Sequence, residues 1–282
     1  MSTDPRDPAL STSLRIAFIG GGNMASAIIG GLVRQGLPAG RILVVEPYAE
    51  ARARLQAEHG VQVLEQAGPT LGQADLVVWA VKPQVFAEAA APVRAHVAGA
   101  LHLSVAAGIR SDSIARWLGT ERIVRAMPNT PALVGLGTTG LFARAAVGAE
   151  DRTRVEQVIA TTGQAIWVER EEQLDAVTAL SGSGPAYVFY FLEAMVRAGE
   201  AMGLTAGQAK QLAIGTFAGA SELARRSDED LAVLRQRVTS KGGTTHAAIM
   251  AMEQAGVGPA FERAMRAAEL RARELGDEFG KA

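Results

Sequence analysis

Cysteine is absent. That removes disulfides, thiolate nucleophiles, iron–sulfur clusters and cysteine-held zinc together, and it fits a reducing compartment. Long apolar runs are missing too. The densest, residues 76–81 and 186–192, are closed by Asp75 and Lys82 and by Glu193. Both fall far short of the roughly 18–20 residues that a bilayer requires. There is no charge excess: 28 Lys and Arg face 29 Asp and Glu, for a net charge of −1. So even a balance argues against a nucleic-acid binder or a protein of anionic membranes. Histidine is scarce, and His59, His96, His102 and His246 share no ligand spacing, so no metal site is expected. No G-x-S-x-G elbow occurs, and no lysine or histidine stands out by spacing as a general acid. Chemistry then has to come from a bound cofactor, with the protein supplying orientation and hydroxyls. Residues 1–13 are polar, hold Pro5 and Pro8 and lack the apolar stretch of a signal peptide. They read as a disordered arm, and the expected location is the cytoplasm.

What is present suffices for a core without staples: 48% of the residues are hydrophobic and 20% charged. A length of 282 residues suggests about two domains. From residue 14 to about 169, short β-branched apolar runs alternate with helical stretches. Strands are expected at 15–19, 42–45, 61–64, 76–81, 101–105, 123–125, 138–142 and 165–168. Their continuous apolar character suits strands buried on both faces, and the alternation predicts an α/β domain with a parallel sheet. Beyond residue 169 strand signals stop and long helical patterns follow. The chain therefore reads as a dinucleotide-binding domain over 14–169 and an all-helical domain over 170–282. Residues 185–202, with Tyr187, Val188, Phe189, Tyr190, Phe191 and Leu192, form a helix apolar nearly all round. Such a helix must be covered on every side, which points to a second subunit.

The first strand runs into Gly20-Gly21-Gly22-Asn23-Met24-Ala25, a G-x-G-x-x-A pattern with a helix directly after it. Gly20 permits the sharp turn, Gly22 lets backbone approach a pyrophosphate, and Ala25 keeps helix and sheet close. The helix N-terminus adds free N–H groups and partial positive charge. Glu46 ends the second strand, where an acidic side chain can bond the ribose 2′-OH of NAD and repel the 2′-phosphate of NADP. Pro47 follows, and Arg52 and Arg54 stand on the next helix. Glu46 could turn outward and an arginine serve a phosphate, so both cofactors stay open. Later strands end in Ala80-Val81-Lys82-Pro83, Ala106-Ala107-Gly108 and Met127-Pro128-Asn129-Thr130-Pro131, loops expected over the same crevice. In the helical half, Ser181-Gly182-Ser183-Gly184-Pro185-Ala186-Tyr187 reads as a capped helix start. Val238-Thr239-Ser240-Lys241-Gly242-Gly243-Thr244-Thr245, just before a helix, reads as an anion cradle for a carboxylate or a phosphate, or as an ordinary N-cap turn.

Residues 18–24, 80–83, 127–131, 181–187 and 238–245, together and in this order, resemble the pyrroline-5-carboxylate reductases. The resemblance covers residues 14–275. It implies an N-terminal Rossmann domain and a C-terminal helical dimerisation domain interlocked with its mate, as in family members that assemble five dimers into a decamer. It implies reduction of 1-pyrroline-5-carboxylate to L-proline by NADPH or NADH, the last step of proline biosynthesis. By resemblance Gly20, Gly21, Gly22, Asn23 and Met24 hold the pyrophosphate. Ala80, Val81, Lys82 and Pro83, with Ala106 and Ala107, line the nicotinamide side, and Asn129 sits near it. Ser240, Gly243 and Thr244 bind the substrate carboxylate, and Thr245, the catalytic hydroxyl, faces the ring nitrogen. Three positions depart from the family pattern: Lys241 replaces a common Pro, Ala67 an Asn at the cofactor ribose, and Glu46 a small polar residue. Competing readings are another imine or β-hydroxyacid reductase of the same architecture, and a non-catalytic NAD(P)-binding regulator.

Overall fold

The expected strands all form. The structure, a computed structural model, describes residues 11–280; residues 1–10 of the expected arm lie outside the described residues. Strands β1 (Ile16–Ile19), β2 (Ile42–Val45), β3 (Gln62–Leu64), β4 (Leu76–Trp79), β5 (Leu101–Ser104), β6 (Ile123–Met127), β7 (Gly137–Ala143) and β8 (Gly163–Trp167) make one sheet in the order β3-β2-β1-β4-β5-β6-β7-β8. The first six pair in parallel. Side chains alternate across the pleat, and both faces are buried. Ile16, Phe18, Val44, Leu76 and Val78 enter one core with residues of helices α1 (Asn23–Arg34) and α5 (Ala149–Ala160). Ala17, Ile19, Leu43, Val77 and Trp79 enter the other with residues of α3 (Phe86–Arg94) and α4 (Ser111–Leu118). That is why these strands read as unbroken apolar runs. Helix α2 (Ala49–His59) ends at Gly60, in the left-handed region at φ 68°.

The sheet is not parallel throughout: β7 runs antiparallel to β6. Between them lies only Pro128 to Leu136, with a single 3-10 turn at Thr130–Val134. A parallel crossover needs a dozen or more residues, usually a helix, so the chain turns back instead. Helix α5 then supplies a full crossover, and β8 pairs with β7 in parallel.

Two compact units result. One holds the described residues up to 183 together with those from 268 onward; the other holds 184–267. Charged side chains tie residues beyond β8 to the sheet unit. Arg125, buried on β6, pairs with Glu171 at 2.5 Å. Burial pulls the Arg125 guanidinium below its usual pKa, and Glu171 opposes that shift. Glu171 also accepts from the backbone N–H and hydroxyl of Ser111 at the start of α4, each at 2.6 Å. Arg110 pairs with Asp175 of α6 (Gln173–Val177) at 3.0 Å.

The second unit contains α7 (Gly184–Ala201), α8 (Ala206–Arg225), α9 (Leu231–Arg237), α10 (Thr244–Gln254) and the first part of α11 (Val257–Phe279). Gly199 lets α7 and α8 meet, since a Cβ there would stand 2.8 Å from that of Ala209. Thr205 and Gln208 close a reciprocal capping box on α8. Tyr187 and Phe191 pack edge-on against Phe261. Phe189 and Tyr190 stay 60% and 66% exposed. No helix among the described residues is long and apolar enough to cross a membrane.

Candidate active site

The glycine loop begins where β1 ends. Gly20 adopts φ 95°, and a Cβ there would lie 2.7 Å from the Ala80 carbonyl oxygen. Both the conformation and the space exclude a side chain. The Gly21 N–H donates to Oε2 of Glu46 at 2.8 Å. Gly22 is the N-cap of α1, with no side-chain cap, and a Cβ there would meet nothing within 4 Å. Gly22 and Asn23 are exposed and Met24 is half-buried, whereas Ala25 is buried against the sheet. The loop therefore leaves open ground before the unpaired N–H groups of a twelve-residue helix, which is the space and charge that a pyrophosphate requires. The residues present fit a dinucleotide.

Glu46 is 6% exposed. Its Oε1 accepts from the Tyr48 N–H at 3.0 Å, so each carboxylate oxygen holds one backbone N–H. Arg52 donates to the carbonyls of Glu46 and Pro47 at 2.8 and 2.6 Å and reaches Glu65 at 3.3 Å. Arg54 donates to the Gly21 carbonyl at 3.2 Å. Of the arrangements the sequence allows, the one observed has the carboxylate turned inward and both arginines on carbonyls.

The later loops stand at the same carboxyl edge. Ala80 and Val81 follow β4, Lys82 is exposed, and Pro83 opens a short 3-10 turn. Ala106 is buried and Ala107 exposed after β5. Asn129 follows β6, but its side chain is engaged within the protein. Its Nδ2 donates to Ser181 Oγ at 3.0 Å, and its Oδ1 accepts from the Thr138 N–H at 3.0 Å. Ser181 in turn donates to the Thr138 carbonyl at 3.3 Å. The segment around Ser181 is not the expected capped start. Residues Thr178–Gly182 form a π-helical turn, with the Ser183 N–H bonded to the Thr178 carbonyl at 2.8 Å, and α7 follows directly. Gly182 fits against β6, since a Cβ there would lie 2.4 Å from the Met127 methyl. Thr138 as a partner carried no sequence signal, because its contacts are made by the fold; Arg52, Arg54 and Ser181 had already been singled out, but not the carbonyls and side chain they bond.

The second cluster lies in the helical unit. Gly242, at φ 77°, turns the chain, and the Gly243 N–H closes onto the Ser240 carbonyl at 3.0 Å. Gly243 is the N-cap of α10 and has no side-chain cap. Thr244 and Thr245 are the first residues of that helix; both are exposed, as are Ser240 and Lys241. This is a second helix N-terminus with free N–H groups, flanked by hydroxyls. Among the described residues no group of three or more His, Asp or Glu could hold a metal ion.

Both clusters lie in segments that match known families. Residues 171–275 match the family model for pyrroline-5-carboxylate reductase dimerisation, and residues 15–108 match one described as NADP oxidoreductase, coenzyme F420-dependent. A pyrroline-5-carboxylate reductase of Pseudomonas aeruginosa is 45% identical over 95% of this chain and 98% of its own. The chain belongs to the pyrroline-5-carboxylate reductase family. Among solved structures, the family member from Coxiella burnetii superposes with a TM-score of 0.88 at 38% identity, covering 93% of this chain and 98% of its own. The Plasmodium falciparum pyrroline carboxylate reductase, solved with NADP bound, superposes with a TM-score of 0.83 at 25% identity, covering 94% and 99%. Membership of this reductase family accounts for the pairing of a dinucleotide fold with a helical unit and for the homo-oligomer that a dimerisation domain entails.

Proposed function

We propose that the chain reduces 1-pyrroline-5-carboxylate to L-proline with NADPH or NADH, as the last step of proline biosynthesis. The observation that carries this reading is the uncapped N-terminus of α10 behind Ser240, Gly243, Thr244 and Thr245, on a chain of this family that also bears an open glycine loop. In this reading residues 14–169 take the cofactor, and residues 170–282 take the substrate and build the subunit contact. The oligomer is an interlocked homodimer, five of which form a decamer, and it works in the cytoplasm.

Bound NAD(P)H supplies the hydride that reduces the C=N bond. The chain's own residues bind and orient. Residues 20–24 hold the pyrophosphate at the start of α1, and Ala80, Val81, Lys82, Pro83, Ala106 and Ala107 keep the nicotinamide side close-fitting. The Asn129 side chain props the loop after β6, through Thr138 and Ser181. The N–H groups at the start of α10, with the Ser240 and Thr244 hydroxyls, hold the substrate carboxylate, and the helix dipole favours that negative charge. A cyclic imine accepts hydride best when its nitrogen is protonated. The Thr245 hydroxyl orients the ring nitrogen and relays a proton to it, so that as the carbon gains hydride the C=N electron pair returns to a nitrogen that keeps this proton as the amine N–H. Such help is worth roughly 10²–10⁴-fold, and ring-to-nicotinamide positioning supplies much of the rest.

The test is NADH and NADPH oxidation with 1-pyrroline-5-carboxylate, with proline identified as product. Wild type is expected to turn over. Thr245→Ala is expected to lower kcat well over about tenfold with little change in cofactor affinity. Cofactor binding without turnover by wild type would defeat the reductase reading, and near-normal turnover by the variant would remove Thr245 from the mechanism.

A further inference from the structure

We propose that Glu46 makes this chain select NADH over NADPH. The inference rests on the reductase reading above and concerns the ribose end of the cofactor, which that reading leaves open. In a dinucleotide fold the adenine ribose lies at the carboxyl end of β2. Glu46 occupies that end, and three features hold its carboxylate in place. Its two oxygens accept the N–H groups of Gly21 and Tyr48, at 2.8 and 3.0 Å. Gly21 lies directly on its side chain, since a Cβ there would stand 3.3 Å from Glu46 Cγ and 2.5 Å from Leu55 Cδ1. With only 6% of the residue exposed, the surroundings leave the side chain little room to swing away.

A carboxylate has about four acceptor sites, and the two N–H groups use two of them. The remaining lone pairs suit the 2′- and 3′-hydroxyls of an unphosphorylated ribose. A 2′-phosphate offers no donor in their place and brings a further charge of about −1.5 to −2 beside a fixed negative group. Only a cation could compensate, and the neighbouring ones are engaged. Arg52 spends its guanidinium on the carbonyls of Glu46 and Pro47 and on Glu65. Arg54 holds the Gly21 carbonyl. Repulsion without a compensating cation is a discrimination against the phosphorylated partner.

Direct binding tests this without relying on turnover. NADH and NADPH are titrated calorimetrically into wild type, Glu46→Gln and Glu46→Ser, with kcat/KM for both cofactors measured beside them. Wild type is expected to bind NADH at least about tenfold tighter than NADPH, by a margin that narrows as salt is raised. Glu46→Gln keeps an acceptor for Gly21 while removing the charge, and should narrow the margin by about the same factor. Glu46→Ser should do so by tightening NADPH as well as weakening NADH. The wild-type ratio stands even if a variant folds poorly. Equal or tighter binding of NADPH by wild type overturns the proposal and points to Arg54 leaving Gly21 for the phosphate. Turnover of 1-pyrroline-5-carboxylate with an NADPH preference defeats this inference alone. NADH-selective binding without turnover defeats the reductase reading and leaves the selectivity standing. Binding of neither cofactor defeats both.

Discussion

His102 sits inside β5 with Nδ1 accepting from the Trp79 indole N–H at 3.0 Å. Burial pulls its pKa down from 6.5 to about 4; a hydrogen bond to the Val97 backbone opposes the shift, and Arg122 adds to it. A histidine whose folded pKa is depressed binds fewer protons folded than unfolded. Stability therefore falls as pH drops below 6.5 and stops falling, for this residue, near pH 4. The full span is worth about 3 kcal/mol. Urea unfolding at pH 7 and pH 5 should show a larger acid loss for wild type than for His102→Gln. Equal losses would acquit His102. Its spacing from the other histidines excluded a metal role but could not reveal a neutral core acceptor, because Trp79 becomes its partner only when β4 and β5 pair. Gly20 was legible, since strand, glycine pattern and helix are local. The direction in which Glu46 turned was not, because Gly21 and Leu55 decide it from other elements.

Elements were legible wherever their signals were local. Helix α10 begins at Thr244, within the segment expected just before it, and α7 at Gly184, ahead of 185. The π turn before α7 was not legible, because it answers to Met127, Thr138 and Asn129 packed against it. Nor was the clamp on α4. There Glu171 serves as a cap from sixty residues away, accepting both the N–H and hydroxyl of Ser111 while neutralising buried Arg125. Removing one partner of a buried pair leaves the other uncompensated. Glu171→Ala is expected to cost about 3–5 kcal/mol of stability, and an Arg125→Met, Glu171→Leu double substitution much less. Denaturant midpoints distinguish the cases, and a single-variant loss under about 1 kcal/mol would mean that water already screens the pair.

For the whole molecule the decisive feature is α7. Its apolar character all round predicts a cover, yet within one chain Phe189 and Tyr190 remain 60% and 66% exposed. These exposed aromatics lie on a segment that matches a dimerisation family, so the proposal for the missing cover is a second copy. Light scattering at micromolar concentration should show an oligomer, and a Phe189→Glu, Tyr190→Glu double variant should shift it toward smaller species. A stable wild-type monomer would contradict this.

The sequence by itself determined the strands and their helices, the glycine turn, the helix behind Ser240 and the family. Each rests on a short-range rule: apolar periodicity, a positive φ that only glycine adopts readily, or N–H groups freed at a helix start. Tertiary structure alone decided the reversal of β7, the inward turn of Glu46, the neutral His102 and the Arg125–Glu171–Ser111 clamp. Each of these is an interaction between residues remote in sequence, and its partner is chosen only when strands and helices pack.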